Sequence, residues 1–169
     1  MKTELTQILN SVKNGSMTVE EAALKLKITP FEDIGYAKID LHRKIRQGAA
    51  EVIYGAGKTA VQIAGITETM LKNGQENILI TRLDPKAAEF LKKTVELDYH
   101  EDAKIGIIGQ IPAPDGIGKI VVAAGGTSDI PVAEEAALTA EVLGNQVERL
   151  YDVGVAGLHR LLKHLDEIM

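Results

Sequence analysis

Apolar and polar positions along this chain follow two rhythms, and the points where one gives way to the other mark out its elements. Leu5, Ile8, Leu9 and Val12 recur at helical spacing up to Asn14-Gly15, a pair suited to ending a helix. Thr18-Val19-Glu20-Glu21 has the form of a capping box, and Ala22, Ala23, Leu24 and Leu26 continue the helix until Pro30 stops it. The pattern predicts a helical hairpin at the start of the chain. Tyr36, Ile39 and Leu41 suggest a strand that runs into the charged stretch DLHRKIRQG at 40–48, which reads either as a solvated connector or as part of a site. A β-rich run at 51–54 ends at Gly55, and Thr59 to Gln62 repeats the capping-box signature, opening a helix through Ile63, Ile66 and Met70 to Asn73-Gly74.

Residues 77–81, NILIT, form a compact strand of the buried kind. Asp84-Pro85 begins another helix, with Ala87, Ala88, Leu91 and Val95 inward, and a strand follows at 104–108. Strands alternating with helices of this length predict parallel βαβ units with right-handed crossovers. The stretch IPAPDGIG at 111–118 is rich in proline and glycine and marks a boundary. The division expected is a small N-terminal α/β domain over 1–110, a linker over 111–118, and a second domain over 119–169.

That second domain opens with KIVVAAGGTSD at 119–129. Four apolar residues at 120–123 lead through Gly125, Gly126, Thr127, Ser128 and Asp129 to Pro131, where a helix begins, so the order is strand, tight polar turn, helix. Backbone N–H groups in such a turn and at a helix start point one way and carry partial positive charge, which suits a phosphate or carboxylate. The helix over 131–143 ends at Gly144-Asn145, a strand lies near 147–153, and a last helix places Leu158, Leu161, Leu162, Leu165 and Ile168 at the 3.6-residue period. The fold class is therefore α/β.

Composition narrows the function. The 169 residues carry a net charge of -5 without a basic stripe, which argues against a nucleic-acid surface. No apolar run approaches the roughly 20 residues of a membrane span, and MKTELTQILN lacks the apolar core of a secretory signal, so a cytoplasmic protein with no membrane partner is expected. Cysteine is absent, which leaves no disulfide, thiolate metal ligand or thiol nucleophile among these residues.

Three constellations bear on chemistry. Gly55-Ala56-Gly57-Lys58-Thr59 looks like the end of a P-loop, but that motif needs glycine at position 52, where Val52 stands, so the glycines read better as a turn that leaves Lys58 to meet an anion. Histidines 42, 100, 159 and 164 offer no metal spacing, since His159 and His164 diverge by roughly 140° on a helix, and no metal site is expected. Asp129 and His159 each follow one of two successive strands, and loops after parallel strands share the edge where ligands bind. They are either a capping aspartate and an unrelated histidine, or a carboxylate and an imidazole placed for acid–base work.

GGTSDIPVAEEA at 125–136 followed by DVGVAGLHRLL at 152–162 resembles the PurE-type carboxylase domain, with its Gly-rich S-D-x-P loop and later H-R loop. With DLHRKIRQG at 40–48 and EVIYGAGKT at 51–59, the whole chain is similar to the LarB family of nickel-pincer cofactor biosynthesis. The resemblance implies the first βαβα part of a PurE-like doubly wound parallel sheet after the N-terminal domain. It implies that Gly125, Gly126, Thr127, Ser128, Asp129 and Pro131 meet a ribose phosphate, that Asp129 and His159 serve catalysis, and that His159 and Arg160 line the reacting ring. Arg43, Arg46 and Lys58 would reach the substrate from the first domain.

The reaction implied is carboxylation of the pyridinium ring of nicotinic acid adenine dinucleotide, with phosphoanhydride cleavage releasing AMP. Carbon dioxide or bicarbonate would be the co-substrate, and a PurE-like homo-oligomer the assembly. No tightly bound cofactor is implied, and a divalent cation such as magnesium would enter with the substrate's phosphates. A purine-type AIR carboxylase and a non-catalytic nucleotide-binding fragment are the alternatives. The family attacks the ring with a cysteine, and this sequence has none. The expectation is of an inactive piece that stops midway through the PurE-like domain, whether shortened, interrupted in frame, or completed by another polypeptide.

Overall fold

The computed structural model describes residues 2–28, 31–41, 43 and 51–165. Two compact units form, one from Met1–Glu51 with Gly65–Gln75, the other from Val52–Ala64 with Glu76–Met169.

In the first unit, α1 (Lys2–Lys13) ends where Gly15 takes a left-handed φ of 72°, and its N–H donates to the Val12 carbonyl at 3.1 Å while Ser16 N–H reaches Ser11 at 3.0 Å. Those two bonds close the end of the helix on carbonyls that have no intrahelical partner. Helix α2 (Val19–Ile28) starts on the expected box, Thr18 N–H donating to Glu21 at 2.9 Å and Glu21 N–H to the Thr18 hydroxyl at 3.1 Å. The single strand expected around 36–41 is instead an antiparallel hairpin of β1 (Phe31–Asp33) and β2 (Lys38–Asp40). Its turn is set by Gly35, whose N–H donates to the Asp33 carboxylate at 2.8 Å. The later turns of α3 (Ala60–Lys72) belong to this unit, and Asn73, just beyond the helix, donates to Glu32 of β1 at 2.6 Å.

In the second unit, β3 (Val52–Tyr54), β4 (Ile78–Thr81), β5 (Asp98–His100) and β6 (Ile105–Ile108) form one sheet in the order β3-β4-β6-β5. Strands β3 and β4 are parallel, joined through α3, as the alternation predicts. The next step differs, because β6 runs antiparallel to β4 and pairs with β5 in a hairpin. The chain crosses through α4 (Pro85–Leu91) to β5, which runs parallel to β4 two positions away, and the 101–104 turn, with Lys104 at a φ of 51°, then returns it as β6 between them. The proline- and glycine-rich stretch 111–118 is exposed and lies within this unit.

Beyond it, β7 (Lys119–Ala123) and β8 (Gln146–Leu150) pair in parallel from Lys119 opposite Gln146 to Ala123 opposite Leu150, with α5 (Ile130–Val142) between them in sequence. Leu138 of α5 joins Leu79, Ala103, Ile105 and Ile107 in one apolar cluster, against which Val52 and Val142 pack. This β–helix–β unit thus shares a core with the four-stranded sheet. Helix α6 (Leu158–Leu162) follows, and Leu158 and Leu162, two of the residues at the 3.6-residue period, stand half exposed. Leu138 is 5% exposed, so Leu138→Ala empties a packed site and should cost about 2–5 kcal/mol in urea unfolding. A loss below about 1 kcal/mol would mean that α5 does not pack on the sheet.

Candidate functional site

The loops after β7 and β8 touch through their backbones. The parallel ladder continues past both strand ends, Ala124 N–H donating to Leu150 at 2.9 Å and Val153 N–H returning to Ala124 at 3.0 Å. The next residues on each side are glycines. A methyl on Gly154 would stand 2.4 Å from the Gly125 carbonyl oxygen and 3.1 Å from its carbon, so no side chain fits there without parting the loops. Gly126 is extended, with φ -150°, and a 3₁₀ turn over Thr127–Asp129 leads into α5, where Pro131 takes a first-turn position.

Asp129 organises its loop from within. Its Oδ2 accepts the Gly126 N–H at 2.9 Å while its own N–H donates to the Gly126 carbonyl at 3.0 Å. The amides of Thr127 and Ser128 head the turn, where no intrahelical acceptor precedes them. Across the contact, Gly157 N–H donates to Gly154 at 3.0 Å, and α6 brings His159 and Arg160. Arg160 is ion-paired with Asp152, a residue in the left-handed region at φ 57°. Its guanidinium also crosses Gly157 so closely that a methyl there would meet Nε at 2.6 Å. Asp129, His159, Thr127 and Ser128 are exposed. No hydrogen bond joins Asp129 to His159 among the described residues, and Asp129 Oδ2 bonds within its own loop.

Behind this edge, Arg149 of β8 ties the strand to two turns of α5. It holds Glu141 bidentately at 2.5 and 2.9 Å and Glu134 through Nε at 3.1 Å, while the Tyr151 hydroxyl donates to Glu134 at 2.5 Å. The paired Glu141 carboxylate holds the Arg149 proton more firmly still than usual. Burial, reinforced by the bond to Glu134, pushes the Tyr151 phenol up from 10.0 to about 12. This network was not legible in the sequence, since its members lie on separate elements.

The remaining candidates are dispersed. Lys58 lies in the 55–59 turn after β3, its Nζ donating to the Tyr54 carbonyl at 2.7 Å. Thr59 and Gln62 form their capping box at 2.9 and 3.2 Å, so this turn is a helix start. Arg43 lies in the first unit, paired with Glu51 at 3.0 Å, and Arg46 lies outside the described residues. Among the described residues, no group of three His, Cys, Asp or Glu side chains is placed to hold a metal ion, and no helix is long and apolar enough to cross a membrane.

A parallel β–helix–β unit with its two loops clamped together at the carboxyl edge, beside a four-stranded sheet, defines a mixed α/β protein. The sequence model of a family described as LarB/PurE-like N-terminal domain matches residues 31–110. An uncharacterized protein of Methanocaldococcus jannaschii is 34% identical over 176 residues, an alignment that takes in 100% of this chain and 69% of that protein. The chain belongs to the LarB/PurE-like family.

Gly154→Ala should separate the loops at a cost of about 1–3 kcal/mol, whereas Gly157→Ala should cost less because a mobile guanidinium can yield; thermal unfolding of the two variants compares them. Equal and negligible losses would mean that the loops do not touch. The folded chain holds the Tyr151 proton more tightly than the unfolded chain, so that stabilisation is complete below the ordinary 10.0 and is lost as pH rises through about 12. Tyr151→Phe should therefore flatten the alkaline decline in urea stability. An unchanged slope would contradict the assignment.

Proposed function

We propose that the loops after β7 and β8 grip the phosphoribosyl end of a nucleotide. In this reading the chain belongs to a carboxylase and hydrolase of nickel-pincer cofactor synthesis, acting on nicotinic acid adenine dinucleotide with carbon dioxide or bicarbonate. The observation that supports it is the Gly125–Gly154 backbone contact, which brings the Ser-Asp loop and the His-Arg loop to one carboxyl edge. The match over residues 31–110 favours this substrate over that of a purine-type AIR carboxylase, because it falls on the N-terminal region.

The amides of Gly125, Gly126, Thr127 and Ser128 and the start of α5 offer partial positive charge to a phosphate, and Pro131 keeps the first turn of that helix in shape. Asp129 keeps a second carboxylate oxygen for the ribose or for a proton. His159 is the group suited to proton transfer, and Arg160 to neutralising a carboxylate formed on the ring. A divalent cation such as magnesium would come with the substrate's phosphates.

A pyridinium ring is electron-poor and carbon dioxide is an electrophile, so a nucleophile must add to the ring before it can attack. The family's cysteine supplies that, and these 169 residues contain none. They should bind nucleotide without turning it over, as an oligomer of like chains in the cytoplasm, an assembly that the half-exposed Leu158 and Leu162 would favour. Calorimetry with AMP and with the dinucleotide should show binding that Asp129→Ala weakens about tenfold, with no AMP released when bicarbonate is added. Unchanged affinity in the variant would refute the site, and turnover would refute the nucleophile argument.

A further inference from the structure

The geometry points to a second anion seat, formed by Arg82 and Lys58 on the carboxyl edge of β3 and β4, that takes a phosphate or pyrophosphate group. Tyr54 and Thr81 are opposite one another at the ends of these parallel strands, roughly 4.8 Å apart. Gly55 then lies directly against the next strand. Its N–H donates to the Thr81 carbonyl at 2.7 Å, and a methyl on it would meet the carbonyl oxygens of Thr81 and Arg82 at 2.9 and 3.0 Å. The turn that carries Lys58 is thereby laid alongside residue 82.

Arg82 adopts a left-handed φ of 53°, which side chains other than glycine seldom take. Strain of this kind persists only where the surroundings enforce it, and it gathers at ligand sites. Here the enforcement comes from Gly55 on one side and from Leu83 N–H, which donates to Lys104 at 2.7 Å, on the other. The side chain is fixed at one point, Nε donating to Glu135 of α5 at 2.8 Å, and it is 48% exposed. A guanidinium carries five N–H donors, so the four on its terminal nitrogens are spare, and none has a partner among the described residues. Lys58 is held by its own strand end, with one donor on the Tyr54 carbonyl at 2.7 Å and the ammonium 6.0 Å over the Tyr54 ring, an arrangement that leaves N–H donors for a ligand.

The seat therefore joins two cations held at neighbouring strand ends, of which Arg82 is paired with the carboxylate of Glu135. The nearest further acid in sequence, Asp84, is engaged in accepting the Lys86 N–H at 2.9 Å at the start of α4. The spare donors of a guanidinium and an ammonium suit an oxyanion with several oxygens. Glu135 lies six residues beyond Asp129 on the same helix, about 9 Å along its axis. None of the bonds that form the seat involves residues 125–129, so it stands whether or not the Ser-Asp loop takes a nucleotide.

Inorganic pyrophosphate titrated calorimetrically into the full chain and its variants is the test. Binding should weaken about tenfold in Arg82→Gln and in Lys58→Gln, with thermal unfolding unchanged, and should hold or tighten in Glu135→Gln, which keeps an acceptor for Nε but removes the opposing charge. Asp129→Ala, read in parallel with AMP, reports on the other site alone. Absence of pyrophosphate binding, or affinity unaltered by Arg82→Gln and Lys58→Gln, would overturn the seat. So would Glu135→Gln weakening binding as much as Arg82→Gln, since that would leave Arg82 only the role of pinning α5.

Discussion

Two glycine backbones in contact, Gly125 after one parallel strand and Gly154 after its neighbour, are the constraint on which the proposed site depends. Their approach leaves no room for a β-carbon at Gly154, and the ladder bonds of Ala124 and Val153 on either side hold the two chains at that separation. Parallel pairing sets the direction, because β7 and β8 must end on the same edge. What remains for side chains is to shape the surfaces of loops whose positions the backbone has already settled.

Helix α5 carries this constraint into the rest of its unit. The Ser-Asp loop leads directly into its first turn, its middle puts Leu138 into the sheet core, and Glu134 and Glu141 on its flank clamp Arg149 of β8. A charge cluster of this kind is weak evidence of net stability, since desolvating the charges offsets much of their attraction. Its value is positional: bidentate geometry fixes the register of helix against strand, and the loop after β8 begins two residues beyond Arg149. Glu135 extends the same helix's reach to Arg82 at the end of β4.

Much of this was legible in the sequence, where local chemistry decides the outcome. The boxes at Thr18–Glu21 and Thr59–Gln62, the Asp84-Pro85 start and the Gly15 stop each form as their residue types require. The Gly-Gly-Thr-Ser-Asp turn between strand and helix was equally readable. Strand direction was not, because an apolar run such as 105–108 has the same pattern in either sense, and only the tight 101–104 turn makes β6 antiparallel. Asp98–His100 escaped notice as a strand because its three residues are polar or aromatic and show no alternation. Arg82 and the Arg149 network were invisible for another reason: their partners sit on other elements, 53 residues away for Arg82 and Glu135.

The chemistry proposed is recognition. Amides at a turn, a carboxylate that shapes the turn, and an imidazole and a guanidinium on the adjoining loop would together take a phosphoribosyl group. Whether those two loops act together is most directly tested by amide chemical shifts of the labelled chain on addition of AMP. The account predicts that residues 125–129 and 154–160 shift together along one binding curve. Perturbations confined to one of the two loops, or lying elsewhere in the chain, would contradict it.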